Sequence, residues 1–156
     1  MIKTNVMRLL DAADIEYEAV EYAVDESDLS GAHIIDETGI DKDIVFKTLV
    51  VTGEKNGFGV CCIPAMDELD LKKAAKHFGE KKVEMIHVKD ILKTTGYIRG
   101  GCSPVGMKKQ FPTVIDETAT LFDKIYVSGG QRGLMLGLNP LALAQYTGAG
   151  FEDITV

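Results

Sequence analysis

Two runs rich in β-branched and aromatic residues, Ile44-Val45-Phe46-Lys47-Thr48-Leu49-Val50-Val51 and Phe58 to Ile63, are separated by a short segment from Gly53 to Gly57. No other stretch constrains the fold as much. Branched and aromatic side chains suit a pleated, half-buried surface, and a glycine-bracketed polar connection closes a hairpin. With Pro64 ending the second run, the pair predicts two central strands of a sheet. Alternation then sets Lys47 on the same face as Val45, Leu49 and Val51, where its ammonium must be desolvated or must reach a cleft. Lysines also interrupt edge strands to discourage aggregation, with stems that snorkel to water, so the residue alone leaves both readings open.

Around that hairpin the chain interleaves helices and strands. Val6, Leu9, Leu10 and Ala13 recur at helical spacing behind Thr4, an N-cap residue. Ile15 to Tyr22 alternates as a strand and runs into the acidic turn Asp25 to Asp28. Ser30 caps a short helix that Gly39 closes, and Asp70 caps another through His77 with Leu71, Ala74, Ala75 and Phe78 as its apolar stripe. Val83 to Ile86, Thr113 to Asp116, Ile125 to Ser128 and Leu134 to Leu138 read as short strands. Val88 to Lys93 reads as a turn of helix. Asn139 and Pro140 open a last helix that Gly148 ends, and Phe151 to Ile154 adds an edge strand. The crossovers are irregular and several connections are hairpins. The expected class is therefore α/β of the α+β kind, with a mixed, barrel-like sheet and surrounding helices in one domain over residues 1–156.

The segment Gly96-Tyr-Ile-Arg-Gly-Gly-Cys-Ser-Pro-Val-Gly106 is so poor in bulky side chains that it can present bare backbone to a ligand. Gly100 and Gly101 admit positive φ and close approach, and Pro104 restricts itself and Ser103. Such a bend can aim several N–H groups at a phosphate or at an oxyanion developing on an ester. It can equally be a tight strand connection, since its spacing matches neither a phosphate-binding loop nor a dinucleotide fingerprint. A second glycine-rich turn, Gly129-Gly-Gln-Arg-Gly133, follows further on.

Composition narrows the class. The chain carries 24 acidic against 17 basic residues, net −7, so contact with nucleic acid must use a local basic surface. Lys72, Lys73, Lys76, Lys81 and Lys82 form one such cluster, for which a solvated helix face is the simpler account. Arg99, Lys108 and Lys109 flank the glycine bend and are better placed for a ligand. Three cysteines, two of them adjacent, make no disulfide framework, and the three histidines fall at no metal-ligand spacing. No apolar run is long enough for a membrane helix and the N-terminus is unlike a signal peptide, so a cytoplasmic location without membrane contact is expected.

Four motifs in order, Val45-Phe-Lys-Thr-Leu-Val50, Leu69-Asp-Leu-Lys-Lys73, the Gly96 to Gly106 segment, and Tyr126-Val-Ser-Gly-Gly-Gln-Arg-Gly-Leu134, resemble the YbaK/EbsC family of aminoacyl-tRNA deacylases over essentially the whole chain. That family is similar to the editing domain of bacterial prolyl-tRNA synthetases. The resemblance implies trans-editing without a cofactor: hydrolysis of the ester joining a wrong amino acid, typically cysteine, to the tRNA for proline, with prolyl-tRNA synthetase as an expected partner. It assigns catalysis to Lys47 and Gly101. Substrate binding falls to the bend at Gly100, Cys102, Ser103 and Pro104, to the pocket region at Tyr22, Ser30 and Gly31, and to a second rim at Ser128, Gly129 and Arg132. The bend's backbone N–H groups would stabilise the oxyanion. Some members have aspartate where this chain has Met135. The same fold removing alanine or another small amino acid, and a binding module without turnover, are the competing expectations. No histidine lies near either glycine motif in sequence, and a hydrolase built on Cys102 lacks a visible partner.

Overall fold

The structure, a computed structural model, describes residues 3–156. Helix α1 (Asn5–Ala12) starts where Thr4 Oγ1 accepts from the Met7 N–H, and buries Val6, Met7 and Leu10. Strand β1 (Glu18–Glu21) follows. Helix α2 (Gly31–Thr38) is capped by Ser30, whose Oγ accepts from the His33 N–H at 3.3 Å, and is closed by Gly39 in the left-handed region. The expected hairpin is β2 (Phe46–Gly53) with β3 (Gly57–Pro64), paired from Phe46 with Pro64 to Gly53 with Gly57.

Helix α3 (Leu71–His77) begins at Asp70, whose carboxylate accepts from the Lys72 and Lys73 N–H groups. Strand β4 (Val83–Met85), a 3₁₀ turn at Val88–Asp90 and helix α4 (Ile91–Thr95) lead into the glycine bend. Strands β5 (Thr113–Asp116), β6 (Ile125–Ser128) and β7 (Leu134–Leu138), helix α5 (Pro140–Thr147) with Asn139 as its cap, and strand β8 (Gly150–Glu152) complete the chain. The edge strand expected at Phe151 to Ile154 thus begins one residue earlier and ends at Glu152.

The strands form a mixed sheet of five in the order β4-β2-β3-β5-β8 and an antiparallel sheet of three in the order β1-β7-β6. Pairings β2–β3 and β2–β4 are antiparallel, while β3–β5 and β5–β8 are parallel. A parallel bridge from Val45 to Tyr126 joins the sheets, giving the expected barrel-like arrangement.

Alternation divides most of the interior into two layers, and a third, smaller cluster gathers Val45, Ala65, Tyr126 and Met135. Phe46, Cys62 and Ile115 face the three-stranded sheet through Ile125, Val127, Leu134, Leu136 and Leu138, with α1 and α5 closing the ends. Val51, Cys61, Ile63 and Val114 face the other way and pack under Ala74 and Ala75 of α3. The adjacent cysteines therefore point to opposite faces, as strand geometry requires. Lys47 pairs with Ile63 and so belongs to the face that α3 covers. Burial of these two apolar layers supplies the main stabilisation of the fold.

Candidate functional site

The two glycine motifs, about thirty residues apart in sequence, lie on one another. A Cβ at Gly101 would meet the Arg132 nitrogen and the Gln131 backbone at 3.2 Å, so only glycine lets the bends approach this closely. Arg132 Nε donates to the Arg99 carbonyl at 2.8 Å and latches them together. Tyr22 joins the same junction, its N–H donating to the Gly133 carbonyl at 2.9 Å.

A cleft opens beside this junction, lined by Tyr22, Ser30, His33, Ile34, Gly100 and Arg132 among others, with Asp25, Asp28 and Leu29 on its outer wall. Four of the residues singled out from sequence, Tyr22, Ser30, Gly100 and Arg132, thus come from three distant segments to one place. The cleft holds about 10 Å³, room for roughly one water. A site open to an aminoacyl adenosine was expected; here Leu29 closes over Gly100, 3.4 Å from where its Cβ would stand.

The other members of the set, Lys47, Gly31, Gly101, Cys102, Ser103, Pro104, Ser128 and Gly129, do not line the cleft. Gly31 packs against Ala65, where a Cβ would clash at 2.5 Å, so the start of α2 sits directly on the end of β3. Ser103 and Pro104 are buried, the Ser103 hydroxyl accepting from the Val105 N–H. Ser128 and Gly129 belong to the β6–β7 connection and do not line the cleft. Ser128 Oγ accepts from Gly130 N–H, Gly129 N–H donates to the Leu134 carbonyl, and the Gly129 carbonyl accepts from Thr4 Oγ1 at 2.8 Å. Lys108 turns away from the bend and donates to the Lys93 carbonyl at the end of α4. Met135 is buried with Val45, Ala65 and Tyr126, so this chain has an apolar wall at the position where the resemblance raised a carboxylate.

The bend's donors also need correction. Gly101 N–H closes a turn onto the Ile98 carbonyl at 2.9 Å, and Pro104 has no N–H to offer. Among the described residues the N–H groups of Gly100, Cys102 and Ser103 have no protein acceptor. Gly100 is exposed, where water can pair its N–H, but Cys102 is half-buried and Ser103 buried; unpaired amides at such positions are uncommon and are available to an incoming oxygen.

Lys47 is half-buried and makes no ion pair or hydrogen bond among the described residues. Burial pulls its pKa below the usual 10.5, opposed at longer range by Asp67 and Glu68. An amine held in this way gains from an anionic or strongly polar partner brought by a ligand.

His33 is the residue that sequence distance concealed. Ser30 as N-cap sets it on the first turn of α2, in the cleft with Gly100 and Arg132. Its Nε2 meets the Ala23 carbonyl at 2.8 Å and its ring stands edge-on to Tyr22, 6.2 Å between centres. That hydrogen bond, reinforced by Glu37, Asp28 and Asp25, raises its pKa above 6.5. The cap spacing was the signal available for finding it. The cysteines are unpromising nucleophiles: burial pushes the Cys102 thiol up to about 11 and those of Cys61 and Cys62 to about 12.

Comparison with known proteins agrees with the motif resemblance. Residues 32–146 match the profile of the aminoacyl-tRNA editing domain. A protein of Enterococcus faecalis, EbsC, provisionally named a Cys-tRNA(Pro)/Cys-tRNA(Cys) deacylase, is 50% identical over 153 residues, covering 98% of this chain and 93% of that one. Among solved structures, one provisionally described as a trans-editing enzyme for prolyl-tRNA synthetase superposes with a TM-score of 0.84 at 23% identity, covering 100% of this chain and 99% of the other. The hypothetical protein APE2540 gives 0.89 at 22% identity over 98% and 100%. At those identities the structures show the shared fold alone. The profile match and the half-identical relative show more: this chain belongs to the aminoacyl-tRNA editing domain family.

Proposed function

We propose that this protein hydrolyses the ester of mischarged aminoacyl-tRNA in trans, with cysteine on the tRNA for proline as its substrate. The observation that carries the proposal is the convergence of Tyr22, Ser30, Gly100 and Arg132 on one cleft beside a bend with uncommitted amides. The name carried by EbsC supports the choice of substrate. The terminal adenosine lies between α2 and the two glycine turns, and its entry moves the wall formed by residues 24–29 outward. The free N–H groups of Gly100, Cys102 and Ser103 receive the carbonyl oxygen and stabilise it as charge develops. Gly101 sets the separation of the two turns. Lys47 holds the terminal phosphate or orients the ester as a fixed cation, without transferring a proton.

The protein supplies no ionised nucleophile, and an aminoacyl ester needs little help. The substrate's own thiol attacks its own carbonyl: the S–C bond forms, the ester C–O bond breaks, and the thiol proton ends on the ribose oxygen. Cyclic cysteine thioester leaves and is opened by water. This route discriminates cysteine from proline by chemistry, where binding alone separates small side chains poorly. Because the chain is acidic, prolyl-tRNA synthetase is the partner that would deliver the tRNA.

Purified protein incubated with tRNA(Pro) charged with cysteine, alanine or proline, with and without the synthetase, tests the proposal. Release of cysteine alone is expected, and Lys47→Ala should abolish it. Release of alanine would reassign the substrate, and release of none would leave a binding module.

A further inference from the structure

At the end of the β2–β3 hairpin far from Lys47 lies a cavity of about 370 Å³, at the small end of the range for ligand pockets. Phe78 and His77 line it with Val51, Val83 and Asn56; Phe58 borders it too, but its pairing with Thr52 sends its ring to the opposite face of the sheet. Phe78 lies over Gly59, where a Cβ would clash at 2.6 Å, and meets His77 edge to face at 5.0 Å. Phe58 meets Phe111 in the same manner at 5.5 Å. Asn56 donates its amide to the Phe78 carbonyl, which leaves Oδ1 as an acceptor at the mouth. The rings of Phe78 and His77, with polar groups at the rim, suit a nucleobase.

The cavity and Lys47 share one sheet face, since Val51 is four residues along β2 from Lys47, about 13 Å. Helix α3 spans the interval. It starts just after Asp67 and Glu68, at the Lys47 end, and finishes with Phe78 over the cavity. Lys72 and Lys76 stand one turn apart on its exposed side, and Lys81 follows; none makes an ion pair among the described residues. The other lysines of this cluster are answered, Lys73 by Asp153 and Lys82 by Glu84. Of the nearby carboxylates, Glu80 accepts from the Lys55 and Asn56 N–H groups and Glu152 faces His77, while Asp67 and Glu68 stand exposed at the Lys47 end of the helix. In a chain of net charge −7 this leaves a line of uncompensated cations between the catalytic end and an aromatic cavity.

We infer that this cavity is a second RNA-binding site, which takes an unpaired base of the acceptor strand while Lys72, Lys76 and Lys81 follow its phosphates. The inference rests on the reading of the substrate as aminoacyl-tRNA. It gives the lysine cluster a role beyond a solvated face, holding the acceptor strand once the tRNA has been delivered.

The test compares Cys-tRNA(Pro) with 3′-O-cysteinyl adenosine, which is too short to reach the cavity, and measures the affinity of uncharged tRNA(Pro) at several salt concentrations. Phe78→Leu, which keeps an apolar side chain but removes the ring, should raise KM for the tRNA substrate on the order of tenfold, leaving kcat and hydrolysis of cysteinyl adenosine unchanged. Unchanged hydrolysis of the short substrate also certifies that the variant folds. The double variant Lys72→Ala/Lys76→Ala, on an exposed helix face, should reduce the slope of log affinity against log salt by about 1.4. Wild-type affinity and salt slope in both variants would overturn the inference. So would binding of adenosine monophosphate that Phe78→Leu abolishes while tRNA affinity stays the same, which marks a free-nucleotide pocket. If the wild type hydrolyses neither substrate, the deacylase proposal falls by itself, and the affinity of uncharged tRNA still decides this one.

Discussion

Lys47 and Lys73 lie on the same side of the five-stranded sheet, yet their surroundings treat the charge in opposite ways. Lys73, on α3, donates to Asp153 at 2.9 Å and to the Thr155 carbonyl at 2.7 Å, and these partners raise its pKa. It fastens the C-terminal strap to the helix. Lys47, on β2, is half-buried without a close partner, and desolvation lowers its pKa. A lysine that serves the fold is answered by the fold. One that costs the fold and persists in a strand between two apolar layers fits the ligand-facing role proposed for it, since desolvated groups cluster at functional sites.

The sharpest way to break this contrast is to remove each amine. Lys47→Met should lower deacylation by about 10²-fold or more, because positioning of the reacting ester is lost. Its Tm should be equal to or above that of the wild type. Lys73→Met should retain activity within about twofold and lower Tm by about 2 °C, since exposed pairs contribute little. The pH dependences oppose one another. The depressed pKa of Lys47 means that its charge opposes folding at all pH values below the folded pKa, a cost relieved as pH rises through that value toward 10.5. The raised pKa of Lys73 means that its contribution is present below 10.5 and lost as pH rises through its folded pKa. The Tm difference from wild type should therefore shrink at alkaline pH for both variants, from opposite signs, as thermal scans at pH 7 and above pH 10 would show. Activity lost equally in both variants, or a destabilised Lys47→Met, would remove the distinction.

Gly101→Ala tests whether the site depends on the spacing of the two glycine turns. The added methyl group meets Arg132 and Gln131 backbone atoms at 3.2 Å, atoms that cannot rotate aside, so one bend must shift by a few tenths of an ångström. Overpacking of this kind costs about 1 to 3 kcal/mol. Deacylation should fall about tenfold, chiefly in kcat, as the amides of Cys102 and Ser103 leave their places. A loss in KM alone would instead assign Gly101 to binding.

Much of the fold was legible because the signals were local. Thr4, Ser30, Asp70 and Asn139 all cap the helices that their sequence positions indicated, and the Gly53 to Gly57 segment turns the hairpin in register. The site was legible only in part, because it is assembled from contacts between distant segments. His33 went unseen when distance along the chain stood in for distance in space. Gly101 was read as an amide donor, whereas its place against Arg132 requires the absence of a side chain and its N–H is already committed to Ile98. Ser128 and Gly129 carry the motif but serve the β6–β7 turn, since a glycine-rich connection must first satisfy its own backbone.

The smallest expected effect concerns Cys102, the residue whose amide and side chain have separate fates. Its N–H is one of the three left without an acceptor, while its thiol sits near Thr95, with burial pushing the pKa up to about 11. At neutral pH the thiolate fraction is negligible, and a thiol that is not ionised is neither a nucleophile nor a base. Cys102→Ala keeps the backbone amide and removes only a small buried group, so deacylation of Cys-tRNA(Pro) should stay within about threefold of wild type, with a stability loss of about 1 kcal/mol from the vacated volume. A loss comparable to that of Lys47→Met would show a protein-borne thiol in the reaction, and trapping of a cysteine-linked acyl intermediate by mass spectrometry would then locate it.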